Sequence, residues 1–176
     1  MISIVQQTID FYQKHKKSPA LSDLQIENLN QTNERGSCFV TLYKNGEICG
    51  SAWNIEKIKN SILLEIVENT ISAIEDSRFP ETKTTKSSDI KIRIDTITQR
   101  SVLQDNNLEK LDPSKQGVLA IKKDYSAMAT VLPNIHPSLL TWSDFAPILA
   151  SKFATKQFIE SEYILYSLET VIDRNF

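Results

Sequence analysis

Glycine, cysteine and histidine are scarce in this sequence, with four, two and two copies in 176 residues. The glycines stand apart, so the chain has no Gly-rich phosphate loop of the GxGxxG or Walker type. The cysteines provide no disulfide framework, and with the histidines they show no metal-ligand spacing. The G-x-S-x-G elbow and the aromatic RNA-binding strand motif are also missing. These absences remove the signatures of common enzymes but leave open a site built from distant residues.

Long apolar runs and a basic surplus are missing too. The longest apolar runs, such as residues 62–64, fall far short of the roughly 18–20 residues of a membrane span, so we expect no membrane association. The first residues lack a basic region followed by an apolar stretch, which makes the cytoplasm the expected compartment. A net charge of −2 and a pI of about 5.7 make general nucleic-acid binding an unfavoured hypothesis.

The remaining composition is that of an ordinary globular protein, with 40% hydrophobic and 24% charged residues. The length fits one domain or two closely packed subdomains, a larger and a smaller one. Strands that join as hairpins alternate with helices, which predicts an α+β fold with a mainly antiparallel sheet and packed helices. The periodicity predicts helices at 2–16, 61–75 and 141–154, and strands at 38–43, 47–53, 89–98, 117–122, 126–132 and 162–172.

The strongest local signal is Asn45-Gly46 between two runs of strand-forming residues, which predicts a hairpin with a two-residue turn. The simplest register pairs Leu42 with Cys49, Val40 with Ser51 and Cys38 with Trp53, all on one face. Cys38 and Cys49 are then too far apart to form a disulfide. Gly50 in the second strand either admits a ligand to the backbone or makes room for an overlying helix.

The strand at 89–98 alternates between isoleucines and charged residues. The isoleucines are predicted to face a core, whereas Lys91, Arg93 and Asp95 are predicted to face water. Together with Arg100, the two basic residues form a candidate phosphate-binding patch, which neighbouring aspartates dilute.

Asp76 and Arg78 follow the main helix and form the most informative charged pair. They either lock the loop as an ion pair at the helix C-terminus or present an anion-binding arginine beside the hairpin. A serine nucleophile in the hairpin would need a base, for which the sequence offers only His15 and His136.

Several short motifs occur in a characteristic order along the chain. They are residues 39–51, a helix, Asp76-Ser77-Arg78-Phe79-Pro80, Gln116-Gly117-Val118, Leu132-Pro133-Asn134-Ile135, and Trp142 with its helix. Each motif is weak by itself, but in this order and spacing they resemble the AMMECR domain family over about residues 35–176. The resemblance implies that residues 1–176 form a single AMMECR-like domain.

The family's signature Leu-Arg-Gly-Cys-Ile-Gly corresponds to residues 48–53, of which only Gly50 is identical. Cys49 stands at the arginine position, Ser51 at the cysteine, and Gln116 at the histidine of the family's His-Gly-Val. A reactive site that uses the family's Arg, Cys and His is therefore lost from this chain. The resemblance supplies no settled activity, but the association of family members with Memo-like and radical-SAM proteins implies a protein partner.

Three functions are compatible with these residues. The favoured hypothesis is a binding or accessory module that acts through a protein partner. The first alternative is an enzyme with its site near Cys49, Gly50, Ser51, Arg78 and Gln116, which requires these residues to converge on one pocket. The second alternative is a nucleic-acid-associated protein. The sequence identifies no catalytic residue, cofactor, metal site or oligomeric state.

Overall fold

The computed structural model describes residues 1–26, 34–135 and 139–176. The fold is α+β, as the sequence predicts, with three α-helices and six strands in the described residues. The helices are α1 (Ile2–His15), α2 (Ile62–Ile74) and α3 (Trp142–Lys152). The strands are β1 (Cys38–Lys44), β2 (Glu47–Trp53), β3 (Lys91–Val102), β4 (Gln116–Lys122), β5 (Met128–Val131) and β6 (Tyr163–Arg174).

The six strands form one sheet in the order β2-β1-β3-β6-β4-β5. β1 pairs antiparallel with β2 and β3, and β4 pairs antiparallel with β5 and β6. The chain separates into two compact units, Met1–Thr96 with Ile172–Phe176, and Ile97–Val171, so β3 and β6 contribute residues to both. The assignment of 1–176 to a single domain stays a prediction.

In the first unit, α2 packs on β1 and β2, and α1 packs on α2. Ser61 begins α2 because its hydroxyl accepts a hydrogen bond from the Leu63 N–H at 3.1 Å, which satisfies one of the free amides of the first turn. The apolar side of both helices and alternate strand residues form one core, which includes Val5, Ile9, Val40, Leu42, Ile66, Ile74, Ile92 and Ile94.

The β1–β2 hairpin has the predicted turn. Asn45 and Gly46 have φ angles of 53° and 84°, the left-handed values that a two-residue hairpin turn requires. The predicted register was wrong, because a bulge at Cys49 shifts the pairing by one residue and Leu42 pairs with Gly50. A bulge of this kind leaves two residues of one strand opposite a single residue of its partner.

The one-residue shift decides which face each β2 side chain occupies. Gly50 and Ala52 pair with Leu42 and Val40, whose side chains lie in the core beneath α2. Ser51 pairs with Thr41 and therefore lies on the opposite face of the sheet, together with Trp53. The prediction that Ser51 and Trp53 share a face with Val40 was therefore wrong, because the bulge moves both to the other face.

The prediction that Arg93 and Asp95 face water was also wrong. Their side chains are 2% and 0% exposed, and Arg93 Nε lies 2.7 Å from Asp95 Oδ2. Two residues of a strand that are two positions apart share one face, so the pair neutralises its own charge in place and can be buried. Lys91 is exposed, as expected. The strand also continues to Val102, four residues past its predicted end.

In the second unit, α3 packs on β5 and on the 3-10 turn Leu108–Lys110. Thr141 and Asp144 form a capping box at the start of α3. The core of this unit contains buried residues from α3, β4, β5, β6 and the connecting segments, among them Val118, Val131, Phe145, Leu149, Phe158, Tyr163 and Leu165.

Candidate functional site

The candidate site lies where the segment after α2 meets the outer edge of β2, a strand at one end of the sheet. Asp76 Oδ2 accepts a hydrogen bond from the Ser51 N–H at 3.2 Å, and the Thr82 hydroxyl donates to the Cys49 carbonyl. These side chains replace the backbone partners that a neighbouring strand would supply. Side chains of the protein itself therefore occupy the outward backbone groups at the upstream part of the β2 edge, namely the Cys49 carbonyl and the Ser51 N–H.

Arg78 joins this contact and completes what we call the hairpin cluster, namely Ser51, Asp76 and Arg78. Its Nη2 lies 2.6 Å from Asp76 Oδ2 and 3.0 Å from Ser51 Oγ, and its Nε lies 2.9 Å from Asp76 Oδ1. The backbone N–H of Arg78 also donates to Asp76 Oδ1 at 3.1 Å. The guanidinium also lies 5.4 Å from the centroid of the Phe79 ring, so three residues hold it in one orientation.

Burial differs sharply within the cluster. The Asp76 side chain is 8% exposed, whereas that of Arg78 is 60% exposed. Hydrogen bonding to Arg78 lowers the pKa of the Asp76 carboxyl and raises the pKa of the guanidinium. Both groups are charged at neutral pH and cancel, so the cluster offers oriented donors rather than a surplus of positive charge.

The unused donors of Arg78 point to a binding role for the cluster. Asp76 occupies Nε and one side of Nη2, and Ser51 occupies the other side of Nη2. A guanidinium has five N–H donors, two of them on Nη1. No residue in the described part of the chain accepts a hydrogen bond from Nη1, which leaves both of its donors to an external acceptor.

Ser51 also belongs to a row of polar residues on the sheet face that points away from α2. It pairs with Thr41 of β1, which in turn pairs with Arg93 of β3. Beside this row, the rings of Phe39 and Trp53 stack with centroids 5.1 Å apart. On this face, the exposed Arg78 guanidinium lies at the β2 edge, and the buried Arg93–Asp95 ion pair lies two strands away, on β3.

Gly50 is explained by the packing of α2. A Cβ atom at this position would lie 2.3 Å from the carbonyl oxygen of Ala73, closer than real atoms approach. Gly50 therefore makes room for the overlying helix, which was one of its two predicted roles.

Cys49 occupies the bulge and is 4% exposed. Burial raises the pKa of its thiol, and the same effect raises the pKa of the Cys38 thiol to about 12. Both cysteines are free, in agreement with the prediction that they do not bridge. A thiol of this kind is a poor nucleophile, because the reactive form is the thiolate.

Gln116 lies at the start of β4, in the second unit. Its side-chain oxygen accepts from the Asp112 N–H at 3.3 Å, and its amide nitrogen donates to Glu169 at 3.3 Å. Of the five predicted site residues, only Ser51 and Arg78 are shown in side-chain contact with each other. The predicted convergence of all five therefore stays a prediction.

Sequence reasoning missed Thr82, which closes the β2 edge from a 3-10 turn, Pro80–Thr84. A threonine in a polar loop carries no pattern that marks such a contact. Of the two candidate bases, His15 ends α1 with its ring 4.4 Å from that of Phe11, and His136 lies outside the described residues.

Neither a metal centre nor a membrane-spanning helix is found in residues 1–26, 34–135 and 139–176. No three of their His, Cys, Asp and Glu side chains are grouped so that they could hold a metal ion. None of the helices there combines the length and apolar character needed to cross a bilayer.

Comparison with known proteins gives one family and one fold. The family model described as AMMECR1 matches residues 2–169, so the match also includes α1, which the sequence resemblance did not. The crystal structure of the uncharacterized protein PH0010 from Pyrococcus horikoshii is similar, with a TM-score of 0.82 and 16% identity over 98% of this chain and 88% of that one. At this identity the likeness shows the fold alone. Among curated proteins none matches.

Proposed function

The chain belongs to the AMMECR1 family, and we propose that it is a partner-dependent binding module that uses the hairpin cluster as its recognition site. The family is one of unknown function and lends no activity, so the proposal depends on the cluster. The observation that carries it is the Arg78 guanidinium, which is 60% exposed, fixed by Asp76 and Ser51, and still has both Nη1 donors available.

A fixed and exposed arginine suits binding because its ordering entropy is already lost in the free protein. Immobilising a long side chain at an interface costs about 0.5–1.5 kcal/mol, and Asp76 removes most of that cost before the partner arrives. The planar fork also selects acceptors by geometry, which a lysine at the same place would not. Among acceptors, a carboxylate is favoured because its hydrogen bonds to a guanidinium are charge-assisted.

The same geometry gives little support to catalysis. A nucleophilic Ser51 needs a neighbouring base, but its hydroxyl accepts a hydrogen bond from Arg78, which is a donor only. The lowered pKa of Asp76 makes it a weak base. Cys49 is buried with a raised pKa. No observation favours the enzyme hypothesis over binding.

A nucleic-acid role loses its sequence basis. Arg93 was one of three residues in the candidate phosphate-binding patch, and its side chain is 2% exposed and ion-paired to Asp95. Lys91 and Arg100 remain exposed, but two basic residues supply little of the multiple phosphate neutralisation on which such binding depends.

The test is affinity capture of the tagged full chain from the lysate of its source cells, with bound proteins quantified by mass spectrometry. Arg78→Ala is compared with wild type, and Arg100→Ala is the matched control because Arg100 is an exposed arginine of the second unit. We expect a partner that wild type and Arg100→Ala retain and that Arg78→Ala loses, with all three folded by circular dichroism. Equal retention by Arg78→Ala would remove the hairpin cluster as the recognition site.

A further inference from the structure

We infer that the downstream edge of β2, at Ser51 and Trp53, binds the C-terminal end of an extended peptide whose terminal carboxylate is held by Arg78. The inference rests on the proposed function, and it adds the chemistry of the partner and the direction in which its chain runs. It follows from which backbone groups of β2 point outward, which of them the protein already uses, and where the guanidinium lies.

The outward direction of the backbone is fixed by one hydrogen bond. The Ser51 N–H points away from β1, because it donates to Asp76 at 3.2 Å. Backbone groups two residues apart in a strand point to the same side, so the N–H and C=O of Trp53 also point outward. The pairing of Thr41 with Ser51 and of Phe39 with Trp53 is consistent with this alternation.

The protein closes only the upstream half of this edge. The Thr82 hydroxyl donates a hydrogen bond to the Cys49 carbonyl, and the Asp76 carboxylate accepts one from the Ser51 N–H. In the part of the chain that the structure describes, no side chain or backbone group outside the sheet bonds to the outward groups of Trp53. Ser51 and Trp53 are themselves only partly buried. An open edge of this kind is the feature to which extended peptides add as a further strand.

The direction of the added strand follows from Asp76 and Arg78. A peptide antiparallel to β2 that exchanges hydrogen bonds with Trp53 runs toward Ser51, where the Asp76 carboxylate already occupies the place of the next backbone group. The peptide therefore ends about two residues past its contact with Trp53. At that point it meets the Arg78 guanidinium, whose Nη2 lies 3.0 Å from Ser51 Oγ.

A chain end at this place has to be a C-terminus. The α-carboxylate can accept charge-assisted hydrogen bonds from the Nη1 donors of Arg78. A parallel peptide would instead bring its α-ammonium group to the guanidinium, where it meets only donors, because both oxygens of Asp76 already accept hydrogen bonds from Ser51 and Arg78. The proposed binding mode therefore combines backbone hydrogen bonds between the peptide and β2 with recognition of the peptide's terminal carboxylate by Arg78.

The test uses two pools of short peptides with randomised strand-forming residues, identical except that one has free C-terminal carboxylates and the other C-terminal amides. The proteins are wild type, Trp53→Pro, Trp53→Ala, Arg78→Ala and Arg100→Ala. Trp53→Pro removes the outward N–H, which a sheet edge tolerates, whereas Trp53→Ala removes the ring and keeps the N–H. The difference between these two variants isolates the backbone contact.

We expect wild type to enrich free-acid peptides over their amides by about tenfold, and Arg78→Ala to abolish that preference. Trp53→Pro should bind about tenfold more weakly than Trp53→Ala, and Arg100→Ala should bind as wild type does. No enrichment, equal binding of acids and amides, or equal binding by the two Trp53 variants would overturn the inference. The proposed function fails separately, if Arg78→Ala retains every partner in the capture experiment.

Discussion

The guanidinium of Arg78 donates to the hydroxyl of Ser51 over 3.0 Å and thereby ties the loop after α2 to the edge strand β2. The two residues are 27 positions apart in the sequence, and the contact exists because α2 packs across the hairpin and delivers the next residues to its edge. Asp76 stabilises the contact, because its carboxylate accepts hydrogen bonds from the backbone N–H groups of both Ser51 and Arg78.

Asp76→Asn tests the electrostatic part of this arrangement. The carboxylate is 8% exposed and accepts from two backbone amides and a guanidinium, so we expect the substitution to lower the free energy of unfolding at pH 7 by about 1–2 kcal/mol. The exposed side of Arg78 is screened by water and adds little to this figure. Urea unfolding of the two proteins measures the difference.

The pH dependence of that difference has a definite sign. Folding lowers the pKa of Asp76, so its stabilisation is complete above the unfolded value near 3.8 and is lost as the pH falls through the lower folded value. The difference in the free energy of unfolding between wild type and Asp76→Asn should stay constant from about pH 7 to 5 and shrink below about pH 4. Other carboxylates titrate alike in both proteins and cancel. A gap that widens in acid would contradict this account.

Gly50→Ala tests the packing of α2 on the hairpin. The added methyl group would lie 2.3 Å from the Ala73 carbonyl oxygen, so the helix has to move, and we expect a loss of about 1–3 kcal/mol in the free energy of unfolding. Gly46→Ala is the comparison, because its surroundings are open and it suffers only from a φ of +84°, which costs about 1 kcal/mol. Equal stability of Gly50→Ala and wild type, by urea unfolding, would show that the helix is not in contact there.

Local signals account for most of the secondary structure. The structure confirms the Asn45-Gly46 turn, and the Ser61 hydrogen bond and the Thr141 capping box that begin α2 and α3 likewise act within a few residues. The register of β2 could not be predicted, because the bulge at Cys49 adds one residue without a sequence mark. Apolar residues occur on both faces of the hairpin, so the hydrophobic pattern did not select between the two registers.

Arg93 and Asp95 show where the alternation rule fails. The rule assumes that charged residues of a strand face water, but opposite charges two positions apart can pair on one face and be buried together. In the candidate site, the sequence pointed separately to Ser51 and to Arg78 with Asp76. It could not show that they meet, since their contact depends on the path of the chain between them.

The buried pair itself can be measured by a double-mutant cycle. Arg93→Met should cost about 3–5 kcal/mol of unfolding free energy, because it leaves the buried Asp95 carboxylate without its main counter-charge. The double variant Arg93→Met with Asp95→Leu should cost less than the sum of the two single variants. Additive costs in urea unfolding would mean that the two charges do not interact.

The thiols provide a test that separates binding from covalent catalysis. Burial raises the pKa of Cys38 to about 12 and raises that of Cys49, so neither should react with a thiol reagent in the folded protein at about pH 8. Both should react once the protein is unfolded in urea, and Cys49→Ser and Cys38→Ser assign the two signals. Rapid reaction of Cys49 in the folded protein would instead favour the enzyme hypothesis.

In the proposed function, Arg78 recognises a partner as an oriented donor and not merely as a positive charge. The most direct measurement is the dissociation constant of the captured partner for wild type, Arg78→Lys and Arg78→Ala, with Arg100→Ala as control. We expect Arg78→Lys, which keeps the charge and loses the planar fork, to weaken binding nearly as much as Arg78→Ala does, by about tenfold or more. Unchanged binding by Arg78→Ala, or full binding by Arg78→Lys, would contradict it.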